Sequence, residues 1–221
     1  LTNAIFRLHY WPTKLKQAEI ILILKQGKDP LNVDSYRPIS ILSIIAKLIE
    51  KTILKRLEDE INSKKLIPEH QFGFRKNHTT TQQTNRVIDK ILRAYNDYFL
   101  GASKAFDKVW HTGLLYKIAK IIPNFLRLFQ SYLFNKDFYV GVKNGYSSKH
   151  KIKSDVPQGS VLTPYLLTPY LPTSDIPTTG DIETCTFADD IALVAVNENH
   201  QIANQYLQDH HQNFGNWFTK W

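Results

Sequence analysis

The sequence has no methionine and only one cysteine, Cys185, among its 221 residues. A single cysteine cannot form a disulfide within the chain and cannot assemble a cysteine-based zinc site. This composition favours an intracellular, reducing setting. The chain begins inside an apolar-periodic stretch, without a basic segment followed by an apolar one, so we expect a piece of a longer protein.

Long hydrophobic runs are also missing. The longest apolar stretches, at residues 20–24 and 39–49, are far shorter than the roughly 20 residues that cross a bilayer, and Ser43 and Lys47 interrupt the second. We therefore expect no membrane span. A hydrophobic content of 43% in 221 residues suffices for one substantial core or for two small subdomains that share one.

Acidic residues are scarce in the first 155 residues, which carry 27 Lys and Arg against 13 Asp and Glu, whereas residues 156–221 carry 1 against 7. The net charge of +8 favours a polyanionic partner. A basic surface joined to an acidic region suits a metal-dependent enzyme that acts on a phosphate polymer, because carboxylates hold cations while Lys and Arg hold the backbone. Chance asymmetry between two surface faces is the alternative.

Hydrophobic periodicity predicts an α+β domain in which helices alternate with short antiparallel strands. The predicted helices are residues 1–7, 39–57, 79–95, 114–122, 125–134 and 202–221, and the predicted strands are residues 18–24, 98–102, 138–142, 150–154, 184–186 and 191–196. Strands 138–142 and 150–154 are expected to pair, as are strands 184–186 and 191–196. Thr80 or Thr81 is the expected N-cap of helix 79–95.

The sharpest local feature is the pair Asp189 and Asp190, placed between two mostly apolar strands. Two adjacent like charges near a core are unfavourable unless a cation offsets them. Two divalent metals would do so, and they would clamp the attacking and leaving oxygens of a phosphoryl displacement. Aspartate is also an ordinary turn residue, so a structural turn is the alternative.

Three further segments contain residues suited to binding a nucleotide. Gly159 lets the backbone approach a ligand, and Gln158 beside it offers both a donor and an acceptor. Arg37 follows a basic loop and suits a bidentate grip on a triphosphate. Phe106 is an aromatic side chain that could sense a sugar. Each has a structural alternative: the segment with Gln158 and Gly159 could be a turn that enters a helix, Arg37 could be solvated, and Phe106 could be an ordinary core residue.

Taken in order, these segments resemble the reverse transcriptases of jockey-like non-long-terminal-repeat retrotransposons. The resemblance spans nearly the whole chain and runs through LKQGKDPLNVDSYRPISILSIIAKLIEK, HQFGFRKNHTTTQQ, FLGASKAFDKVWHTGLLYKI, VPQGSVL, SDIP and FADDIALVA. It implies the fingers and palm of a right-hand polymerase, with an antiparallel palm sheet packed on helices. Residues 1–95 are expected to form the fingers and the start of the palm, and residues 96–221 the palm.

The resemblance also implies roles for individual residues. Asp189 and Asp190 match the catalytic, metal-binding pair, with Mg²⁺ as the expected cation and Mn²⁺ as the alternative. The residues that match the dNTP site are Lys25, Arg37, Phe106, Gln158 and Gly159, and Arg75 and Lys76 are the expected nucleic-acid contacts. Phe106 corresponds to the ribose gate. The implied partners are an RNA template, a DNA primer and dNTPs, and the thumb and endonuclease are expected to be absent from this chain.

The sequence departs from the family pattern at Gly101, where the first metal-binding aspartate is expected. Asp107 matches a later position of the pattern and is a poor substitute. We therefore expect impaired catalysis, and a catalytically dead nucleic-acid-binding remnant is the alternative function. An intron-encoded maturase or a telomerase-like polymerase is a further alternative, disfavoured by the HQFGFRKNHTTT and AFDKVWH strings. The parent element is expected in the cytoplasm and nucleus.

Overall fold

The structure is a computed structural model, and it describes residues 1–93, 110–142, 145–152, 159–167, 176–177, 179–180, 182–188, 190–195, 197 and 199–220. The chain divides into two compact units. The first unit joins Leu1–Ser63 to Phe106–Pro164, and the second joins Lys64–Ala105 to Tyr165–Trp221. The boundary between fingers and palm at residues 95 and 96 stays a prediction.

Helices and short strands alternate along the described parts of the chain. In order, the elements are α1 (Thr2–Leu8), β1 (Gln17–Leu24), β2 (Tyr36–Leu42), α2 (Ile44–Ser63), α3 (Thr80–Arg93), α4 (His111–Ile121), α5 (Leu126–Leu133), β3 (Asp137–Val142), β4 (Gly145–Tyr146), β5 (His150–Lys151), α6 (Thr163–Leu167), β6 (Ile182–Phe187), β7 (Asp190–Ala195) and α7 (His200–Lys220).

The first unit contains a five-stranded sheet in the order β2-β1-β3-β4, with β5 also paired to β3. Strand β1 is antiparallel to β2 and parallel to β3. The predicted pairing of 138–142 with 150–154 is confirmed, because Phe138 lies opposite His150 and Asp137 opposite Lys151. The core beside this sheet contains large, fully buried side chains, among them Trp11, Ile53, Leu57, Ile118, Ile122, Leu128, Phe129, Tyr132 and Leu133.

The single helix predicted over residues 39–57 is wrong at its start. Residues up to Leu42 belong to β2, and helix α2 begins at Ile44. β2 pairs with β1 in seven register positions, from Ala18 opposite Leu42 to Leu24 opposite Tyr36. This pairing overrides the helical spacing of the apolar residues, since strand preference depends on the neighbouring strand. Pro38 is tolerated because β2 is an edge strand.

The second unit is built on the β6–β7 hairpin, which was predicted from the two mostly apolar strands on either side of the paired aspartates. The hairpin packs against α7 through a small core of Ile182, Leu193, Ala195 and Ala203, flanked by Ile191, Tyr206 and Leu207. The predicted helices 79–95 and 202–221 correspond to α3 and α7. The predicted strand 98–102 lies outside the described residues. Within the part of the chain that the structure describes, no helix is long and apolar enough to cross a membrane.

The N-cap of α3 is Thr79, one residue before the predicted positions. The Thr79 N–H donates to the Gln82 side-chain oxygen at 2.8 Å, and the Gln82 N–H donates to the Thr79 hydroxyl at 3.2 Å. This reciprocal capping box satisfies two donors that a helix end otherwise leaves unpaired. The expectation of Thr80 or Thr81 was therefore wrong because it overlooked Gln82, three residues after Thr79.

Candidate functional site

Lys25 and Arg37 lie at the same end of the β1–β2 hairpin. Arg37 is exposed and opposite Ile23, and the Lys25 N–H donates to the Ser35 carbonyl at 2.8 Å just beyond the last strand pair. Side chains alternate along paired strands, so Lys25 and Arg37 project from the same face as diagonal neighbours. The Lys25 ammonium donates to the Asp34 carbonyl at 2.8 Å. The structure thus brings together two of the cations predicted to bind a triphosphate.

Gly159 lies against the backbone of β2. A Cβ at this position would be 2.5 Å from the Ser40 carbonyl oxygen, and the φ of Gly159 is +123°, which L side chains rarely adopt. Glycine is required here for both reasons. Gly159 therefore contacts the strand that carries Arg37, three residues from Ser40. The predicted partner Gln158 lies outside the described residues.

A buried carboxylate, Glu50 on α2, holds the segment that follows Gly159. Glu50 is 1% exposed, and it accepts hydrogen bonds from the Ser160 hydroxyl at 2.9 Å, the Val161 N–H at 2.8 Å and the Tyr132 hydroxyl at 2.9 Å. Buried carboxylates are stable only when donors replace the lost water. Glu50 therefore fixes the backbone directly after the glycine. Sequence reasoning missed it, although its position within the buried stripe of α2, next to Ile49, was a signal.

The Tyr132 hydroxyl completes this network. Its oxygen lies 2.7 Å from the Ser160 hydroxyl oxygen, and its ring meets Trp11 edge-on with centroids 4.9 Å apart. Burial, followed by the adjacent Glu50 charge, raises the pKa of Tyr132 well above its usual value near 10. The phenol therefore stays neutral and remains a donor. The buried Lys136 ammonium lies 3.4 Å from the centroid of the Tyr132 ring, in cation–π contact.

In the second unit, the β6–β7 hairpin places its acidic residues at the turn. Phe187 and Asp190 are the last paired residues, so Ala188 directly follows β6 and Asp190 begins β7. Ala188 has a φ of +57°, in the left-handed region, which costs a non-glycine residue roughly 1–2 kcal/mol. Asp190 is exposed at the first position of β7. Asp189 lies outside the described residues.

The loop at residues 70–73 packs directly on this turn. A Cβ on Gly73 would overlap the Ala188 nitrogen, so only glycine permits the contact. The Gln71 amide oxygen accepts from the Gly73 N–H and from the Ala188 N–H at 3.1 Å, and its NH₂ group donates to the Ala188 carbonyl at 3.4 Å. Gln71 is fully buried. Sequence reasoning missed Gln71, although a glutamine two residues before a glycine was visible.

Backbone pairing and α3 hold the same loop against β6. The Phe72 N–H donates to the Thr186 carbonyl at 3.0 Å, and the Thr186 N–H donates to the His70 carbonyl at 2.9 Å. Gln83 on α3 donates to both the His70 and Thr186 carbonyls at 3.1 Å. Burial, followed by the charge of Arg86, lowers the pKa of His70. The strand leading to the acidic turn is thus fixed on two sides.

Arg75 and Lys76, the predicted nucleic-acid contacts, follow this loop in the second unit. The Arg75 N–H donates to the Phe72 carbonyl at 3.4 Å, and Lys76 is exposed. Two left-handed residues, Phe74 and Asn77, flank the pair. The structure therefore places both cations on a tight loop that continues from the contact with the acidic turn. The remaining predicted site residue, Phe106, and the departure at Gly101 lie outside the described residues.

The acidic turn has the donor chemistry of a divalent-cation site. Carboxylate oxygens are the ligands that Mg²⁺ prefers, and two adjacent aspartates supply them. Within the described ranges, which omit Asp189, no group of three His, Cys, Asp or Glu side chains is close enough to hold a metal. By their chemistry, two adjacent carboxylates suit a cation that completes its shell with other oxygens.

Comparison with known proteins identifies the family. The model of the reverse transcriptase (RNA-dependent DNA polymerase) family matches residues 23–221. The chain is 37% identical to a probable RNA-directed DNA polymerase from transposon BS of Drosophila melanogaster, over 99% of this chain and 26% of that protein. It is 39% identical to the RNA-directed DNA polymerase from mobile element jockey of the same species, over 99% of this chain and 25% of that protein. The chain thus spans about a quarter of the length of these relatives.

A solved structure of similar fold is an apo telomerase from Candida tropicalis, truncated from its C-terminal domain. The TM-score is 0.58 at 14% identity, and the match covers 97% of this chain and 52% of the other. The predicted α+β fold, with the fingers and palm of a right-hand polymerase, is confirmed. The predicted resemblance to jockey-like retrotransposon polymerases is confirmed as well. The chain belongs to the reverse transcriptase (RNA-dependent DNA polymerase) family.

Proposed function

We propose that this chain is the fingers and palm of an RNA-directed DNA polymerase, which transfers a nucleotide from a dNTP to a primer 3′-hydroxyl on an RNA template. The observation that carries the proposal is the acidic turn of the β6–β7 hairpin, held by buried contacts from Gln71 and Gly73. Asp189 and Asp190 would hold two Mg²⁺ ions. When bound, these cations activate the primer hydroxyl and neutralise charge on the phosphates.

The chain's own residues supply binding and selection in this proposal. Lys25 and Arg37 bind the triphosphate, because a lysine point charge and a planar guanidinium both complement phosphate oxygens. Gly159, with Gln158, presents backbone and amide groups to the template and the incoming nucleotide. Phe106 opposes a 2′-hydroxyl and so excludes ribonucleotides.

We further propose that catalysis by this copy is strongly impaired. Gly101 stands where the matched motif has an aspartate whose carboxylate would help to hold the cations. Loss of one electrostatic contact to a transition state costs on the order of 3–4 kcal/mol, or a factor of about 10²–10³ in rate. Glycine within a strand would add roughly 0.5–1 kcal/mol of local destabilisation relative to alanine.

The second candidate function is a nucleic-acid-binding remnant without catalysis, and Gly101 is the observation that favours it. Both candidates require the basic surplus of residues 1–155 to bind nucleic acid. Binding should show little sequence preference, since backbone phosphates carry no sequence information. The logarithm of the affinity for a single strand should fall with the logarithm of salt concentration, with a slope of about −0.7 per phosphate contacted.

Fluorescence anisotropy with labelled single-stranded RNA and DNA tests this shared requirement. Lys76→Ala should weaken binding and reduce the salt slope by about 0.7, which is one phosphate contact. Lys220→Ala, which removes the one basic residue outside residues 1–155, is the control and should leave the slope unchanged. An affinity that does not depend on salt would refute both candidates. Primer extension then separates them, because only a polymerase incorporates dNTPs.

A further inference from the structure

Gln71 is a polar side chain whose hydrogen bonds all serve the backbone beside the acidic turn. It is 0% exposed, and its amide oxygen accepts from the Gly73 N–H at 2.6 Å and from the Ala188 N–H at 3.1 Å. Its NH₂ group donates to the Ala188 carbonyl at 3.4 Å. The Gln71 amide therefore bonds both backbone groups of the residue that directly precedes Asp189.

The conformation of Ala188 explains why such a contact is needed. Its φ of +57° is unfavourable for a side chain larger than glycine, and it lies in a two-residue connection between paired strands. A residue in a sparsely populated conformation persists only where its surroundings fix it. Asp190 pairs with Phe187 across this connection, so the backbone at Ala188 helps to set how the turn closes.

Gln71 is itself rigidly placed. It forms a parallel bridge with Thr186 of β6, and the Phe72 N–H beside it donates to the Thr186 carbonyl at 3.0 Å. The close approach of Gly73 to the Ala188 nitrogen prevents the loop from sliding along the turn. A buried amide can orient a neighbour only when its own position is fixed, and these contacts meet that condition.

We infer that Gln71 is a positioning residue for the acidic turn: its amide fixes Ala188, and this holds the turn in a conformation that suits divalent-cation binding. The inference rests on the proposed function, which assigns the cations to Asp189 and Asp190. Groups that orient metal ligands from outside the coordination shell typically contribute a factor of about 10–100 to metal affinity. Gln71 acts on the backbone that carries the ligands, so we expect about tenfold.

Gln83 provides a matched control in the same unit. It is also a buried glutamine, and it donates to the Thr186 and His70 carbonyls, so its loss should destabilise the same loop and strand. Among the described residues, the Gln83 side chain forms its hydrogen bonds to His70 and Thr186 and none to Ala188. A change that follows from general loosening should therefore occur in both variants, whereas a change in cation affinity should occur only when Gln71 is altered.

The experiment uses the ¹⁵N-labelled 221-residue chain and its Gln71→Met, Gln83→Met and Asp190→Asn variants. Hydrogen exchange measures the protection of the Ala188 amide without metal, and paramagnetic line broadening measures Mn²⁺ affinity. Gln71→Met should accelerate exchange at Ala188 at least tenfold and weaken Mn²⁺ binding about tenfold. Gln83→Met should change the Mn²⁺ affinity less than twofold.

Unchanged Ala188 exchange or unchanged Mn²⁺ affinity in Gln71→Met would overturn the inference, as would equal weakening in Gln83→Met. If Asp190→Asn leaves Mn²⁺ binding unaltered, the metal site of the proposed function is wrong. This result does not depend on any change at Gln71, so it is distinguishable from a failure of the inference. If Gln71→Met does not fold, the Gln71→Glu variant tests the inference instead. Its carboxylate can still accept from the Gly73 and Ala188 N–H groups. Its Ala188 exchange should stay within twofold of the parent, and faster exchange would overturn the inference.

Discussion

Replacement of Glu50 should strongly destabilise the first unit. Three donors converge on this carboxylate: the Tyr132 and Ser160 hydroxyls and the Val161 N–H, all within 2.9 Å. Hydrogen bonds to a charged group contribute about 1.5–3 kcal/mol each, but three that share one acceptor do not add fully. Glu50→Ala also leaves the donors unpaired and opens a cavity, so we expect a loss of about 3–5 kcal/mol in the free energy of unfolding.

Glu50→Gln should cost less, about 1–2 kcal/mol, because the amide keeps its volume and one acceptor oxygen. Asp59→Asn, an exposed carboxylate on the same helix, is the control and should change stability by less than about 0.5 kcal/mol. Urea unfolding followed by tryptophan fluorescence measures these differences, since the Trp11 ring lies 4.9 Å from that of Tyr132. A loss below about 1 kcal/mol in Glu50→Ala would refute this reasoning.

Further predictions concern glycine, pH and sugar selection. Gly159→Ala should lower the free energy of unfolding by at least about 2 kcal/mol, because it combines a backbone clash with a positive φ. The control Gly215→Ala in α7 should be neutral or stabilise by up to about 1 kcal/mol, and urea unfolding measures both. Burial lowers the pKa of His210, so below about pH 6.5 the unfolded chain binds the proton first and stability falls as pH decreases. Urea unfolding at pH 7 and at pH 5 measures how much stability each protein loses between the two pH values. The His210→Gln variant should lose less than the parent, and an equal loss would refute the role of His210. In a competent protein with the thumb restored, Phe106→Val should increase ribonucleotide incorporation in primer extension, and unchanged incorporation would place the gate elsewhere.

The sequence pattern predicted the elements whose local signals agree with their tertiary pairing. The β6–β7 hairpin is such a case, because apolar strands flank an acidic turn. Strand β2 was missed because Leu42 fits the helical spacing that Ile45 and Ile49 continue, and only the pairing with β1 shows that Leu42 ends a strand.

The buried polar contacts were beyond sequence reasoning for a related reason. Glu50 meets Ser160 across 110 positions of the chain, and Gln71 meets Ala188 across 117. No local spacing rule connects residues so far apart. The candidate site residues were therefore visible in the sequence. Glu50, which holds the segment after Gly159, and Gln71, which holds Ala188, became visible only in the fold.

Mg²⁺-dependent primer extension on an RNA template tests the central claim most directly. The proteins to compare are the parent and its Gly101→Asp variant, both extended at the C-terminus to include a thumb, with Asp190→Asn in the Gly101→Asp background as the control. The account predicts extension by the Gly101→Asp protein, activity at least about 10²-fold lower in the parent, and none above background in the control. Robust extension by the parent, or no gain from Gly101→Asp, would contradict it.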